Sequence, residues 1–173
     1  MAHSLIRPVM RTTTAILLAG LSLTDAAVAR DAPSAATPRE MLTGIYREAV
    51  KGATSDWLEP ARRSRYLSKS LQALWAKSDA KKPPEGEVGA IDFDLTTDTN
   101  ALELQDFRIE PVKQSPTAAT LTVHLIYKKP YVRHDPAIVT YDFVREDGPW
   151  RIDEIRTKAW SVRDMLRRWL SGS

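Results

Sequence analysis

Residues 120–127 read Thr-Leu-Thr-Val-His-Leu-Ile-Tyr. Leu121, Val123, Leu125 and Tyr127 alternate with Thr122, His124 and Ile126, the two-residue period of a strand that buries one face. Further along, Val139, Tyr141 and Phe143 repeat the pattern. Glu146-Asp147-Gly148-Pro149 then makes a tight turn, and Trp150, Ile152 and Ile155 form a return strand. Connections this short make the last strands antiparallel neighbours.

Upstream the same period is predicted twice more. Ile91, Phe93 and Leu95 alternate with Asp92 and Asp94, and Phe107 and Ile109 flank Arg108, with Pro111 breaking or bulging that strand. Before residue 87 the period is helical. Thr37-Pro38-Arg39-Glu40 supplies an N-cap, a proline at the first helical position and the acid of a capping box. Met41, Leu42, Ile45, Tyr46, Ala49 and Val50 then share one face, and Gly52 is the predicted stop. A second helical stretch starts at Glu59-Pro60. It carries Arg62, Arg63 and Arg65 on its polar side and Tyr66, Leu67, Leu71, Leu74 and Trp75 on its buried side, with Ser68 or Ser70 able to cap a fresh start within it. Lys81-Lys82-Pro83-Pro84-Glu85-Gly86 ends it. The chain closes on a helix capped by Ser161, in which Val162, Met165, Leu166, Trp169 and Leu170 fall on one side and Arg163, Arg167 and Arg168 on the other. The expected architecture is α+β: two N-terminal helices packed on a curved antiparallel sheet of about four strands, plus a C-terminal helix.

The N-terminus reads as an address. Arg7 and Arg11 precede an apolar run, residues 15–23, and Ala27-Val28-Ala29 is a small-x-small cleavage signal. Residues 1–29 are therefore predicted to be a secretory signal peptide cleaved between Ala29 and Arg30, which sends the chain to the periplasm. The apolar run is far short of the ~20 residues that span a bilayer, so no transmembrane span is expected in the mature protein. Residues 30–36 read as a disordered lead and residues 37–171 as a single α+β domain.

Composition narrows the function classes. The net charge of the 173 residues is +3, and +2 once Arg7, Arg11 and Asp25 leave with the signal peptide. That balance is too close to neutral for a nucleic-acid-binding face, and no nucleic-acid partner is expected. The absence of cysteine excludes disulfides, thiolate metal sites, a cysteine nucleophile and a lipidated-cysteine anchor. No H-E-x-x-H, G-x-S-x-G, phosphate-binding glycine loop or dinucleotide fingerprint is present, and no cofactor or metal is expected.

Several of these stretches carry a resemblance. Ile91-Asp92-Phe93-Asp94, Leu104-Gln105-Asp106, the 120–127 strand and Gly148-Pro149-Trp150-Arg151-Ile152-Asp153-Glu154-Ile155 together resemble the domain-of-unknown-function family numbered 3828, small exported bacterial proteins. That family shows a D-x-D element, a Q-D element and a closing W-[KR]-I-[DE]-[DE]-I strand before a last helix. The closing strand is also similar to the end of nuclear transport factor 2-like (cystatin-like) cones. The resemblance spans roughly residues 38–170 and implies such a cone, without an activity or catalytic residues to transfer. Asp94-Leu95-Thr96-Thr97 stands where the family has Asp-Pro-Phe.

Ligand-binding candidates around a cone mouth are Tyr46, Asp92, Asp94, Gln105, Asp106 and Trp150, with Asp106 expected to pair with an arginine. Asp92, Asp94 and Asp98 raise a cation site, but they lack the glycine and the twelfth-position glutamate of a calcium loop, and the plainer reading is an acidic strand end. His124 and Asp142 share a parity on neighbouring strands, so a general base of isomerase or dehydratase type, helped by Tyr141, is conceivable on a cone. The plainer reading is a structural hydrogen bond on the solvent face, since no spacing rule forces the two together. His134-Asp135 lies in a charged loop. The favoured function is a non-enzymatic exported binding module for a small ligand, a peptide or an envelope protein, a class that includes an inhibitor or immunity partner of a secreted effector. The alternatives are the His–Asp pocket enzyme and an envelope-surface adaptor working through the C-terminal Arg/Trp helix.

Overall fold

A computed structural model describes residues 36–172 apart from 54, 87, 102 and 130–136. Contacts divide the chain into Met1–Ala32 and Pro33–Ser173, and every described residue belongs to the second unit. The predicted signal peptide, most of the 30–36 lead and the His134-Asp135 loop lie outside the described residues.

The first helix, α1 (Pro38–Val50), starts as its sequence predicts. Glu40 N–H donates to Thr37 Oγ1 at 3.2 Å, and the Glu40 carboxylate accepts from Thr37 N–H at 2.8 Å, so two of the otherwise orphaned donors are satisfied. Gly52 follows with φ +88°, the left-handed conformation that ends the helix without a Cβ penalty. A 3-10 turn, Asp56–Leu58, leads into α2 (Pro60–Tyr66).

The second helical stretch is not one helix. It splits into α2 and α3 (Lys69–Ala80) around an extended Leu67 with φ −92° and ψ 151°. Two competing bonds explain the break. Ser68 Oγ accepts from Leu71 N–H at 3.1 Å as the N-cap of α3, while Ser68 N–H donates to the Ile152 carbonyl at 2.8 Å.

Four strands follow: β1 (Leu104–Gln114), β2 (Ala118–Tyr127), β3 (Ile138–Arg145) and β4 (Trp150–Arg156). They pair antiparallel in chain order. Pro111 sits beside a register shift in β1, the predicted bulge. Asp147 and Gly148 both take positive φ, 51° and 106°, in the β3–β4 turn. The Ile91–Leu95 strand expected from its alternation is absent. Asp94 Oδ1 accepts from Thr96 N–H at 2.7 Å and Thr97 N–H at 3.1 Å, and Asp94 N–H donates to Asn100 Oδ1 at 2.8 Å, which curls the segment into turns.

Burial follows the β2 alternation. Ala119, Leu121, Val123, Leu125 and Tyr127 are buried, while Thr120, Thr122 and His124 are half-buried and Ile126 is exposed. The buried face meets Leu42, Ile45, Tyr46 and Ala49 of α1. The last helix, α4 (Val162–Ser171), packs on α3 and β4, with Val162 and Leu166 fully buried and Trp169 Nε1 donating to the Ser78 carbonyl of α3 at 3.4 Å. Its apolar stripe is therefore covered by the protein itself. Among the described residues no helix is long and apolar enough to cross a membrane.

Tyr46 and Tyr141 both have zero exposure, and their hydroxyls lie 2.9 Å apart. Tyr141→Phe strands the Tyr46 hydroxyl in the core and is expected to cost about 1–3 kcal/mol in urea denaturation. The double Tyr46→Phe/Tyr141→Phe variant, which removes both hydroxyls, is expected to lose less than twice the single-variant cost.

Candidate functional site

The sequence-predicted residues fall in three places: the buried centre, the 91–100 turn segment, and the sheet face opposite α1, which no helix covers among the described residues. At the centre, Phe107 leans on Tyr46 with ring centroids 5.3 Å apart, and Tyr141 meets Tyr46 edge-on at 6.2 Å. Burial pushes the Tyr46 hydroxyl well above its usual pKa, with Tyr141 and the Asp94 charge adding to the effect. Burial likewise raises Tyr141, against the lowering effect of its bond to Tyr46. Both phenols stay protonated, as a pair sharing one hydrogen bond requires. Trp150 is also a core residue, 6% exposed, with the Arg145 guanidinium over its ring at 5.3 Å.

In the turn segment, Asp94 works as a hub. Besides the two backbone bonds, its Oδ1 accepts from Ser55 Oγ at 2.6 Å. Ser55 Oγ lies 2.8 Å from Thr96 Oγ1, which also accepts from Trp57 Nε1 at 3.0 Å. Tyr127 OH donates to the Thr97 carbonyl at 2.6 Å. Asp92 is exposed, and its carbonyl accepts from Asn100 Nδ2 at 2.6 Å. Asp98, with φ 55°, accepts from Trp160 Nε1 at 2.7 Å. The three acids thus hold different parts of the chain, and among the described residues no group of His, Cys, Asp and Glu is placed to hold a metal.

Two open grooves border this segment. One, about 470 Å³, runs between α2, α3 and residues 89–95; on its wall Arg63 lies 4.6 Å from the Trp75 ring centroid, bonds the Leu58 carbonyl and pairs with Asp79. The other, about 410 Å³, lies between the end of α1 and the turns, with Asp94, Asn100 and a Lys128–Glu103 pair at 2.6 Å on its wall. Neither groove is lined by Tyr46 or Tyr141.

On the other sheet face His124 and Asp142, conceivable as a pair from their parity, are not brought together. His124 lies opposite Ile138, and the strand residue facing Asp142 is Thr120, four residues away along β2, roughly 13 Å at ~3.3 Å per residue. His124 Nε2 instead stands 3.0 Å from Glu110 Oε2, whose other oxygen is 3.0 Å from Arg108 Nη2. Asp142 accepts from Thr120 Oγ1 at 2.7 Å and pairs with Arg156 at 3.1 Å. Both groups face solvent, with side chains 27% and 33% exposed, which removes the closed concavity a general base on this pair requires. On β1, Gln105 is exposed at a register shift. Asp106, expected beside an arginine, turns its carboxylate back onto Phe107 N–H at 2.8 Å.

Sequence reading passed over one polar node. Asp153 Oδ1 accepts from Ser68 Oγ at 2.6 Å, Ser70 Oγ at 3.0 Å and Arg163 Nη2 at 2.5 Å, tying β4, α3 and α4 together. Its alternation within W-R-I-D-E-I marks it only as facing away from Ile152.

No family model matches the chain, and no curated protein matches it. A solved structure to which the chain is similar is that of the type VI native effector–immunity complex Tae3–Tai3 from Ralstonia pickettii, at TM-score 0.43 and 18% sequence identity, covering 72% of this chain and 96% of that one.

Burial alone raises the Asp153 pKa, but the Ser68 and Ser70 hydroxyls and the Arg163 guanidinium outweigh it and leave the carboxyl below its usual value. A depressed folded-state pKa contributes stability that is complete above the unfolded value near 4 and is lost as pH falls through the folded value. Denaturation midpoints followed downward from about pH 5 are therefore expected to fall less steeply in Asp153→Asn than in the wild type, with the variant already less stable at neutral pH.

Proposed function

We propose that the protein is a non-enzymatic exported binding module that takes a protein partner on the uncovered face of its sheet. The observation that carries this reading is the closed centre. Where a ligand-binding cone would keep its cavity, Tyr46, Phe107 and Tyr141 pack on one another and two phenol hydroxyls satisfy each other. Recognition is left to the outside.

The uncovered face suits that task. Its strands are hydrogen-bonded into one sheet, and its polar groups are paired before any partner arrives: Arg108–Glu110–His124 on one side, Thr120–Asp142–Arg156 on the other. Thr122 and Thr140 lie between them. Prearranged side chains lower the entropy lost on docking, and paired charges of both signs favour a partner surface of mixed charge over a polyanion. Ile126, 47% exposed, extends the face with an apolar contact.

Export to the periplasm rests on the residues 1–29 pattern, with cleavage between Ala29 and Arg30. Membership of the family numbered 3828, with its nuclear transport factor 2-like cone, rests on the closing Trp150–Ile155 strand and the Gln105-Asp106 element. An inhibitor or immunity partner of a secreted effector is one role within this class.

The test uses the chain as bait in an envelope extract, with Thr122→Arg and Thr140→Arg as variants that crowd the face without touching the core. A stoichiometric protein is expected with the wild type. Each variant, its thermal transition unchanged, is expected to capture it about tenfold less, the effect of losing about 1.4 kcal/mol at an interface. Undiminished capture by folded variants, or a co-purified small molecule without a protein, overturns the reading.

A further inference from the structure

Among the described residues the outer edge of β1 pairs with no further strand, and the bonding pattern shows which atoms it presents. Leu125 N–H donates to the Ala137 carbonyl across the β2–β3 side, so the odd residues of β2 bond toward β3. The β1 residues opposite them, Phe107, Ile109 and Pro111, therefore direct their backbone polar groups away from the sheet. A row of this kind is a template for another strand.

Three features obstruct it. The Asp106 carboxylate accepts from Phe107 N–H at 2.8 Å. Arg39 reaches from the first turn of α1 to donate to the Ile109 carbonyl at 3.0 Å. Pro111 has no N–H to offer and stands at a register shift. The opposite edge is closed in a related way: Leu67 bridges Ile152, and the Glu154 carboxylate accepts from Ile155 N–H at 2.8 Å.

The strand so guarded is complementary to itself. In an antiparallel pairing of two copies centred on Ile109, Arg108 of each copy stands opposite Glu110 of the other, and positions 107 and 111 exchange backbone bonds. The registers centred on Arg108 and on Glu110 set like charges opposite, Arg108 on Arg108 with Asp106 on Glu110 in the first and Glu110 on Glu110 in the second. Such a contact is isologous and closes as a dimer.

We infer that Arg39, Asp106 and Pro111 act together as a guard that keeps a second copy of this chain from adding to the β1 edge. The guard is independent of what binds the open face. It fixes the protein as one that does not extend its own sheet, and it leaves a self-pairing edge that three substitutions expose.

Sedimentation of the full chain tests this. The wild type is expected to sediment without β1-mediated association, and Arg39→Ala/Asp106→Ala/Pro111→Val is expected to double its mass in a concentration-dependent way. Adding Arg108→Glu, which sets like charges against Glu110 of the other copy, is expected to return the variant to a monomer. A folded triple variant that stays monomeric at the highest soluble concentration overturns the inference. So does a wild type whose Phe107 and Ile109 amides gain hydrogen-exchange protection with concentration. Should the triple variant not fold, Arg39→Ala/Asp106→Thr/Pro111→Thr, which lifts all three guards with strand-forming residues, decides between the same two outcomes.

Discussion

The Tyr46–Tyr141 contact governs how α1 lies on the sheet. A phenol hydroxyl taken out of water without a partner costs several kcal/mol on scales where nothing else can bond, and each of these two meets that requirement through the other. A one-turn slip of α1 would separate them and also displace Leu42 and Ile45 within the buried cluster that α1 shares with the sheet. Phe107 fills the remaining angle against Tyr46, which brings β1 into the same packing unit. One polar pair thus sets the register between helix and sheet, and it does so by filling the centre of the fold. What happens at the protein's surface follows from that: a filled centre has nothing to hold.

A second regularity concerns acids. Asp94, Asp106 and Glu154 each turn a carboxylate onto a backbone N–H within three residues, and Asp153 accepts two hydroxyls and a guanidinium. Charge-assisted bonds of this sort are stronger than neutral ones and shape the local chain. They make turns where alternation alone suggests a strand, and they blunt strand edges. In the sequence Asp94 and Asp106 read as ligand candidates, because an acid in a short motif looks alike whether it faces a pocket or its own backbone.

That likeness explains which parts of the structure were legible. The α1 capping box, the Gly52 stop, the β2 period, the β3–β4 turn and the Ser161-capped last helix all rest on local chemistry, and each is present as read. The split at Leu67 was only half legible: Ser68 announces a cap, but the partner that draws Leu67 into an extended bridge is Ile152, 85 residues away from it in sequence. The Ile91–Leu95 segment misled because its period is that of a strand, while Asp94 with the two following threonines carries a turn signal that competes with it and prevails. For the candidate site, parity correctly put His124 and Asp142 on one face. Register decided their partners: β2 and β3 pair without interruption so that Thr120, not His124, stands opposite Asp142, and alternation alone does not set register.

A four-stranded meander has two faces and two edges through which it can meet other molecules. α1 covers one face with apolar side chains. Leu67, Ser68 and Glu154 close the β4 edge, and Arg39, Asp106 and Pro111 obstruct the β1 edge. The face that remains is neither apolar enough to demand a permanent partner nor charged enough to attract one at long range. Its ion pairs are internal; on the proposed function a partner meets a surface whose geometry is already arranged, and affinity rests on shape and on a few desolvated contacts near the threonine row. Closing the edges sharpens this: backbone pairing accepts almost any extended chain, whereas a face built from side chains accepts only the surface that fits it. On the two proposals together, the residues that guard the sheet edge are also the ones that leave recognition to side-chain identity.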